Sequence, residues 1–240
     1  MKCRYHLGHN PGNDSNKFYC NDLKIFKYSL FLLTLTACPL DMDYKKAQEY
    51  ILTRLKNELG PDYRYHNLEH TLDVLQSVEV LGKMEKINGD DMLLIKTAAL
   101  FHDAGMLIRY NGHEEASVAL AREVLPQFGY DDEEIAAIND MILSTRLPQR
   151  AHTHLEQILC DADLDYLGRD DFFMIAHRLK YEWTRLNIQK ISLKKWYELQ
   201  LVFLQQHRYF TQSAIRLRQE KKKQNMTEVN ELLIKHDQCS

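Results

Sequence analysis

The 240-residue sequence predicts an all-α fold, a single-domain helical bundle, on three observations. Glycine and proline are few, nine and five, which disfavours a turn-rich β architecture. From Tyr44 onward, apolar residues recur at helical spacing in one segment after another. No segment sustains the period-two alternation of a half-buried strand, and neither a fixed repeat nor a long linker interrupts the pattern. Residues 42–240 therefore read as one domain, long enough to bury its own core without metal or disulfide staples.

The elements follow in order. "DYKKAQEYILTRLKNEL" places Tyr44, Ala47, Tyr50, Ile51 and Leu55 on one helical stripe, stopped by Gly60-Pro61. A second helix is expected from an Asn67 cap to about Leu81, with Val74, Val78 and Leu81 on the side of His70. The third, "DDMLLIKTAALFHDAG", opens with two acids and is apolar nearly all round, the pattern of a central helix. Gly105 is expected to end it. "HEEASVALAREVL" and "DDEEIAAINDMILS" are amphipathic. "DDFFMIAHRLKYEWTRL", "SLKKWYELQLVFLQQH" and "TQSAIRLRQEKKK" complete the set.

Residues 1–41 do not match this pattern and read as an atypical N-terminal extension. Residues 1–22 are polar and aperiodic, and "LKIFKYSLFLLTLTAC" then carries an apolar run too short to span a bilayer. "LTAC" at 35–38 looks like a lipobox, yet more than twenty residues precede the basic part, whereas a signal peptide begins with it. The expectation is a chain start placed too far upstream of Met42 and a cytoplasmic protein. The alternative is a lipoprotein held at a membrane through Cys38.

Composition excludes several classes. A formal net charge of −3 argues against a general nucleic-acid binder. Five scattered cysteines without a CxxC indicate neither a disulfide framework nor a thiolate zinc site, and suit a reducing compartment.

Three local features carry chemistry. His66 and His70 stand four apart in "YRYHNLEHTLDVL", although His66 falls before the expected helix start. His102-Asp103 ends the apolar third helix. Burying both costs several kcal/mol unless a partner compensates, and a cation serves both. Two arrangements remain open at this point: that buried one, or His102 at the helix dipole with Asp103 in solvent. The third feature is "ILCDADLDYLGRDDF". Counted from Asp161, a calcium loop would need Gly at Tyr166 and Glu at Phe172, so that reading fails. Two imidazoles and two carboxylates from three helices would suit Mn, Fe, Co, Mg or Zn better than copper.

In this order, "YHNLEH", "HD" and "DADLDYLG", with Trp196, Gln200, Phe203, Leu204, His207 and "YFT" at 209–211, the sequence resembles the HD superfamily of metal-dependent phosphohydrolases over about residues 44–215. The resemblance implies a phosphodiesterase-like helical bundle with His70, His102, Asp103 and Asp163 as ligands of a divalent ion. Asp163 is preferred to Asp161 because the family's ligand follows the small residue of "AD". His66 matches a residue that protonates the leaving oxygen, and Asp103 orients the attacking water. His113 stands where some relatives supply a ligand for a second ion. Thr145-Arg146 replaces a histidine of dinuclear relatives, with His152 and His154 a few residues late, while Arg146 or Arg150 could grip a phosphate. The implied reaction is hydrolysis of a small-molecule phosphoester, of a nucleotide by analogy, through metal-activated water. The alternatives are a regulatory module that binds metal or nucleotide without turnover, and a purely structural bundle.

Overall fold

The computed structural model describes residues 42–238. The extension at 1–41, with its lipobox-like Cys38, lies outside the described residues. Among these residues there are nine α-helices, three short 3-10 turns and no strand. The helices are α1 (Tyr44–Glu58), α2 (Leu68–Met84), α3 (Gly89–Phe101), α4 (His113–Val124), α5 (Asp132–Ser144), α6 (His154–Asp163), α7 (Phe172–Arg185), α8 (Leu193–Gln206) and α9 (Gln212–Gln238).

Helix starts follow the polar residue that precedes each apolar rhythm. Asp43, Asn67, Asp131, Thr153 and Ser192 all accept backbone amides of the first turn through their side chains. Asp131 and Glu134 close a reciprocal capping box at α5.

The apolar third helix is central. α3 lies against α1, α2, α5 and α6, and Ile95, Ala98, Ala99, Leu100 and Phe101 are fully buried. This first core takes Ile51, Val78, Leu81, Ile138, Ile142 and Ile158 from the surrounding helices. A second core gathers Tyr65, Tyr166, Leu167, Phe172, Trp196, Leu204 and Val229, and joins α7, α8 and α9 to the 3-10 turn Asp165–Gly168. No helix among the described residues is long and apolar enough to cross a membrane. Cys160 is buried and has no disulfide partner.

Gly105 has a different task from the one expected. The helix ends at Phe101, and Gly105 sits inside the 3-10 turn Ala104–Leu107 without a left-handed backbone. A Cβ there would stand 1.9 Å from the His113 carbonyl oxygen and 2.6 Å from the Ser117 amide nitrogen. The glycine lets the start of α4 rest on the turn that follows His102-Asp103. Ser117 locks the contact: its hydroxyl accepts the Gly105 amide at 2.8 Å and donates to the His102 carbonyl at 2.7 Å.

Candidate metal centre and its cavity

The Asn67 side-chain oxygen accepts the amides of Glu69 and His70 at 2.9 and 3.2 Å, and so fixes the first turn of α2. That turn aims His70 inward, its ring stacked on Tyr65 at 4.7 Å between centroids. His102 and Asp103 follow the end of α3 and are 1 % and 6 % exposed. The buried alternative holds for both residues. Asp163 closes α6.

These side chains converge. His70 Nε2 lies 3.3 Å from His102 Nε2, 3.4 Å from Asp103 Oδ2 and 3.2 Å from Asp163 Oδ1. His102 Nε2 lies 3.2 Å from Asp103 Oδ2 and 3.5 Å from Asp163 Oδ1. Nitrogen and oxygen donors about 2.0–2.2 Å from one ion stand about 3–3.5 Å apart, so the spacing fits a shared cation. The His102 Nδ1–H donates to the Ala99 carbonyl at 2.8 Å, which leaves the Nε2 lone pair turned to the cluster. His70, His102 and Asp163 form a group that could hold a metal ion, and the donor set fits.

The electrostatics agree. Burial alone would depress the His70 pKa, but hydrogen bonds to Asp103 and Asp163 outweigh it and raise the value to about 9. His102 is raised well above the ordinary histidine range against the same opposition. Burial opposes ionisation of Asp103 and Asp163 too, yet the imidazoles hold Asp103 well below, and Asp163 below, the usual carboxylate range.

The "DADLDYLG" run divides its labour. Asp161 is fully buried and faces away from the cluster, accepting the Phe210 and Thr211 amides and the Thr211 hydroxyl, each at 2.8 Å. Asp165 accepts from Arg218 Nε at 2.6 Å. A Cβ on Gly168 would meet the Arg218 carbonyl oxygen at 2.4 Å, so this glycine admits α9. Only Asp163 of the three acids belongs to the cluster.

His66 is not in the cluster. Its Nδ1 lies 2.5 Å from Glu182 Oε1, and Glu182 Oε2 accepts the Tyr65 and His66 amides at 2.7 and 3.0 Å. With Nδ1 so engaged, Nε2 is the ring nitrogen left for the cavity that His66 lines. Glu182 is fully buried on α7. Burial would raise its carboxyl, but His66 and the two amides hold it below the usual range. Sequence reasoning missed Glu182. The available signal was its place on the apolar stripe of α7 with Ile175 and Leu179.

His113 stands behind Asp103, with Nε2 3.2 Å from Oδ1 and Nδ1 3.0 Å from the Tyr110 carbonyl. Burial opposes its protonation, but the Asp103 hydrogen bond prevails and raises its pKa. Arg146 lines the cavity and pairs with Glu115. Arg150 is exposed and does not line it, because its amide ties the chain back to the Ser144 carbonyl at 3.2 Å. His152 is exposed, and His154 points to Glu85 at 3.4 Å. The cavity over the cluster encloses about 590 Å³, within the range of small-molecule sites.

The fold and site define an all-α bundle with a buried, mixed imidazole and carboxylate cluster that could hold a metal ion, beside a cavity lined by its two carboxylates. Residues 67–165 match the family model of the HD domain. An uncharacterised protein of Clostridium beijerinckii is 32 % identical over 117 residues, 48 % of this chain and 73 % of that one. The crystal structure of a predicted HD superfamily hydrolase from an uncultured Thermotogales bacterium shares the fold, with a TM-score of 0.50 and 21 % identity over 80 % of this chain and 90 % of that one. The chain belongs to the HD superfamily.

Proposed function

We propose that this protein is a phosphohydrolase that cleaves a small-molecule phosphoester, of a nucleotide, with a divalent ion held by His70, His102, Asp103 and Asp163. The observation that carries the proposal is the convergence of two imidazole nitrogens with carboxylate oxygens of Asp103 and Asp163, each within 3.5 Å of both nitrogens, beside a cavity large enough for a nucleotide that the two carboxylates line. A bound manganese, iron, cobalt, magnesium or zinc ion supplies Lewis acidity toward a phosphoryl oxygen and an activated water.

The chain's own groups do the rest. His66 donates a proton from Nε2 to the leaving oxygen, and Glu182 fixes its tautomer and orientation by accepting the Nδ1 proton. Asp103 is held on its other oxygen by His113 and so has one orientation in which to ligate and to align the attacking water. Arg146 reaches a non-bridging phosphate oxygen by exchanging its Glu115 partner for it.

Metal analysis and turnover of the variants test the proposal. His102→Ala should lose stoichiometric metal. His66→Ala should keep it and lose about 10²–10⁴-fold in turnover of an alkyl phosphoester, and less with p-nitrophenyl phosphate, whose leaving group needs little protonation. Wild-type protein that binds metal and nucleotide yet hydrolyses neither p-nitrophenyl phosphate nor bis(p-nitrophenyl) phosphate would instead be a regulatory module.

A further inference from the structure

The cavity has two unlike sides. One side carries the cluster's two carboxylates, Asp103 and Asp163, with His113, all from the 67–165 stretch that matches the family model. α7 and α8, beyond that stretch, form an apolar wall in which Trp183, Trp196 and Phe203 stand among Leu179, Leu199 and Val202, and Tyr110 lines the same cavity. Both tryptophans of the chain are there, edge to face at 5.5 Å and 87°, so each fixes the other's plane. Trp196 is fully buried and backs the wall, while Trp183 and Phe203 are partly open.

Two polar groups interrupt this wall, an exposed Gln206 and a buried Gln200. Gln200 is 7 % exposed, lines the cavity, and its Oε1 has no hydrogen-bond partner. A buried carboxamide oxygen left unpaired is costly. Rotation about the terminal torsion lets the carboxamide present a donor or an acceptor to a ligand lying on the aromatic faces.

Charge sets a second limit. Arg146 is the one lysine or arginine among the described residues lining the cavity, and Glu115 already occupies it. Asp103, Asp163 and Glu114 line the same space. Each further phosphate of a di- or triphosphate would add negative charge without a basic partner to receive it.

We infer that the α7–α8 wall is a subsite for a neutral, planar heteroaromatic group and that the site takes esters with a single phosphoryl group. Nucleoside monophosphates are selected over nucleoside triphosphates on one side and over aliphatic phosphate esters on the other. This deepens the phosphohydrolase reading and rests on it for the position of the phosphate. The stacking faces select the base, Gln200 meets its hydrogen-bonding edge, and the scarcity of cations selects against added phosphates.

The wild-type protein with Mg²⁺ tests this through tryptophan fluorescence and phosphate release. The probes are the four ribonucleoside 5′-monophosphates, the matching triphosphates and glycerol 3-phosphate. At least one monophosphate should quench fluorescence and bind on the order of tenfold more tightly than its triphosphate and than glycerol 3-phosphate. In Phe203→Ala, the preference for that monophosphate over glycerol 3-phosphate in kcat/KM should fall on the order of tenfold. Triphosphates that bind or turn over as well as monophosphates would overturn the inference, as would glycerol 3-phosphate equal to the nucleotides or no monophosphate binding. Monophosphate binding with the expected selectivity but no hydrolysis of any ester would sustain the subsite and remove the phosphohydrolase reading.

Discussion

His66 Nδ1 lies 2.5 Å from Oε1 of Glu182, a residue 116 positions further along the chain. The contact joins the entry to α2 with the last turn of α7, and Oε2 of the same carboxylate secures the backbone that carries the histidine. A buried carboxylate that accepts an imidazole N–H and two amides sets both the tautomer and the aim of the ring.

Glu182→Gln keeps the shape and removes that control. Its NH₂ group must face either the imidazole N–H or the two backbone amides, donor against donor. Turnover of an alkyl phosphoester should fall by about 10²–10⁴-fold, and stability by about 1–3 kcal/mol, with metal content unchanged. The loss should shrink for p-nitrophenyl phosphate. An equal loss for both leaving groups would mean that Glu182 supports the fold and does not act through His66.

Protons and metal compete for the cluster. A histidine titrates near 6.5 when unfolded, and His70 is raised to about 9 in the metal-free fold. A raised histidine pKa means that the imidazolium–carboxylate attraction is fully present below about pH 6.5 and lost as pH rises through about 9. Metal ligation needs the neutral ring, so affinity strengthens across the same window. Melting curves between pH 6.5 and 9, with and without Zn²⁺, should show the metal-free protein weakening and the metal-dependent gap in Tm widening. A gap independent of pH would show that His70 gives up no proton to the ion.

The legibility of this site followed chain distance. His70, His102-Asp103 and the acids of "DAD" stood out as polar residues in an apolar helical context, a conflict visible within a few positions, while the choice of Asp163 among those acids came from the family resemblance. The helices were legible for the same reason, since their caps and stripes are local. Glu182 was obscured because its partner, His66, lies in another element 116 positions away. Gly105 was misread as a helix stop because glycine does serve there, while the need for close approach exists only once α4 is docked. The aromatic wall requires α7 and α8 to be placed against the cluster, and no local pattern encodes that.

Gly105→Ala tests the docking. Its Cβ would strike backbone atoms of His113 and Ser117, which cannot rotate away as a side chain could. The variant should lose about 1–3 kcal/mol or more in denaturant unfolding. Because α4 carries His113 onto Asp103 Oδ1, metal affinity should weaken as well. Unchanged stability would mean that α4 shifts without resistance.

The acids of "DAD" make the sharpest contrast, because two chemically identical side chains two residues apart do opposite work. Asp161 accepts three donors from the segment that starts α9, and none of its hydrogen bonds involves the cluster. In Asp161→Asn the amide group must oppose a donor of Phe210 or Thr211. The protein should therefore lose about 1–3 kcal/mol while binding metal at the wild-type ratio. Asp163 Oδ1 lies 3.2 and 3.5 Å from the two imidazole nitrogens. Asp163→Asn exchanges an anionic donor for a neutral amide and should lose stoichiometric metal with the helical content intact. Elemental analysis and urea unfolding of the two variants decide the assignment. Metal lost from the Asp161 variant and retained by the Asp163 variant would reverse it, and would require the end of α6 to turn relative to α2 and α3 when the ion binds.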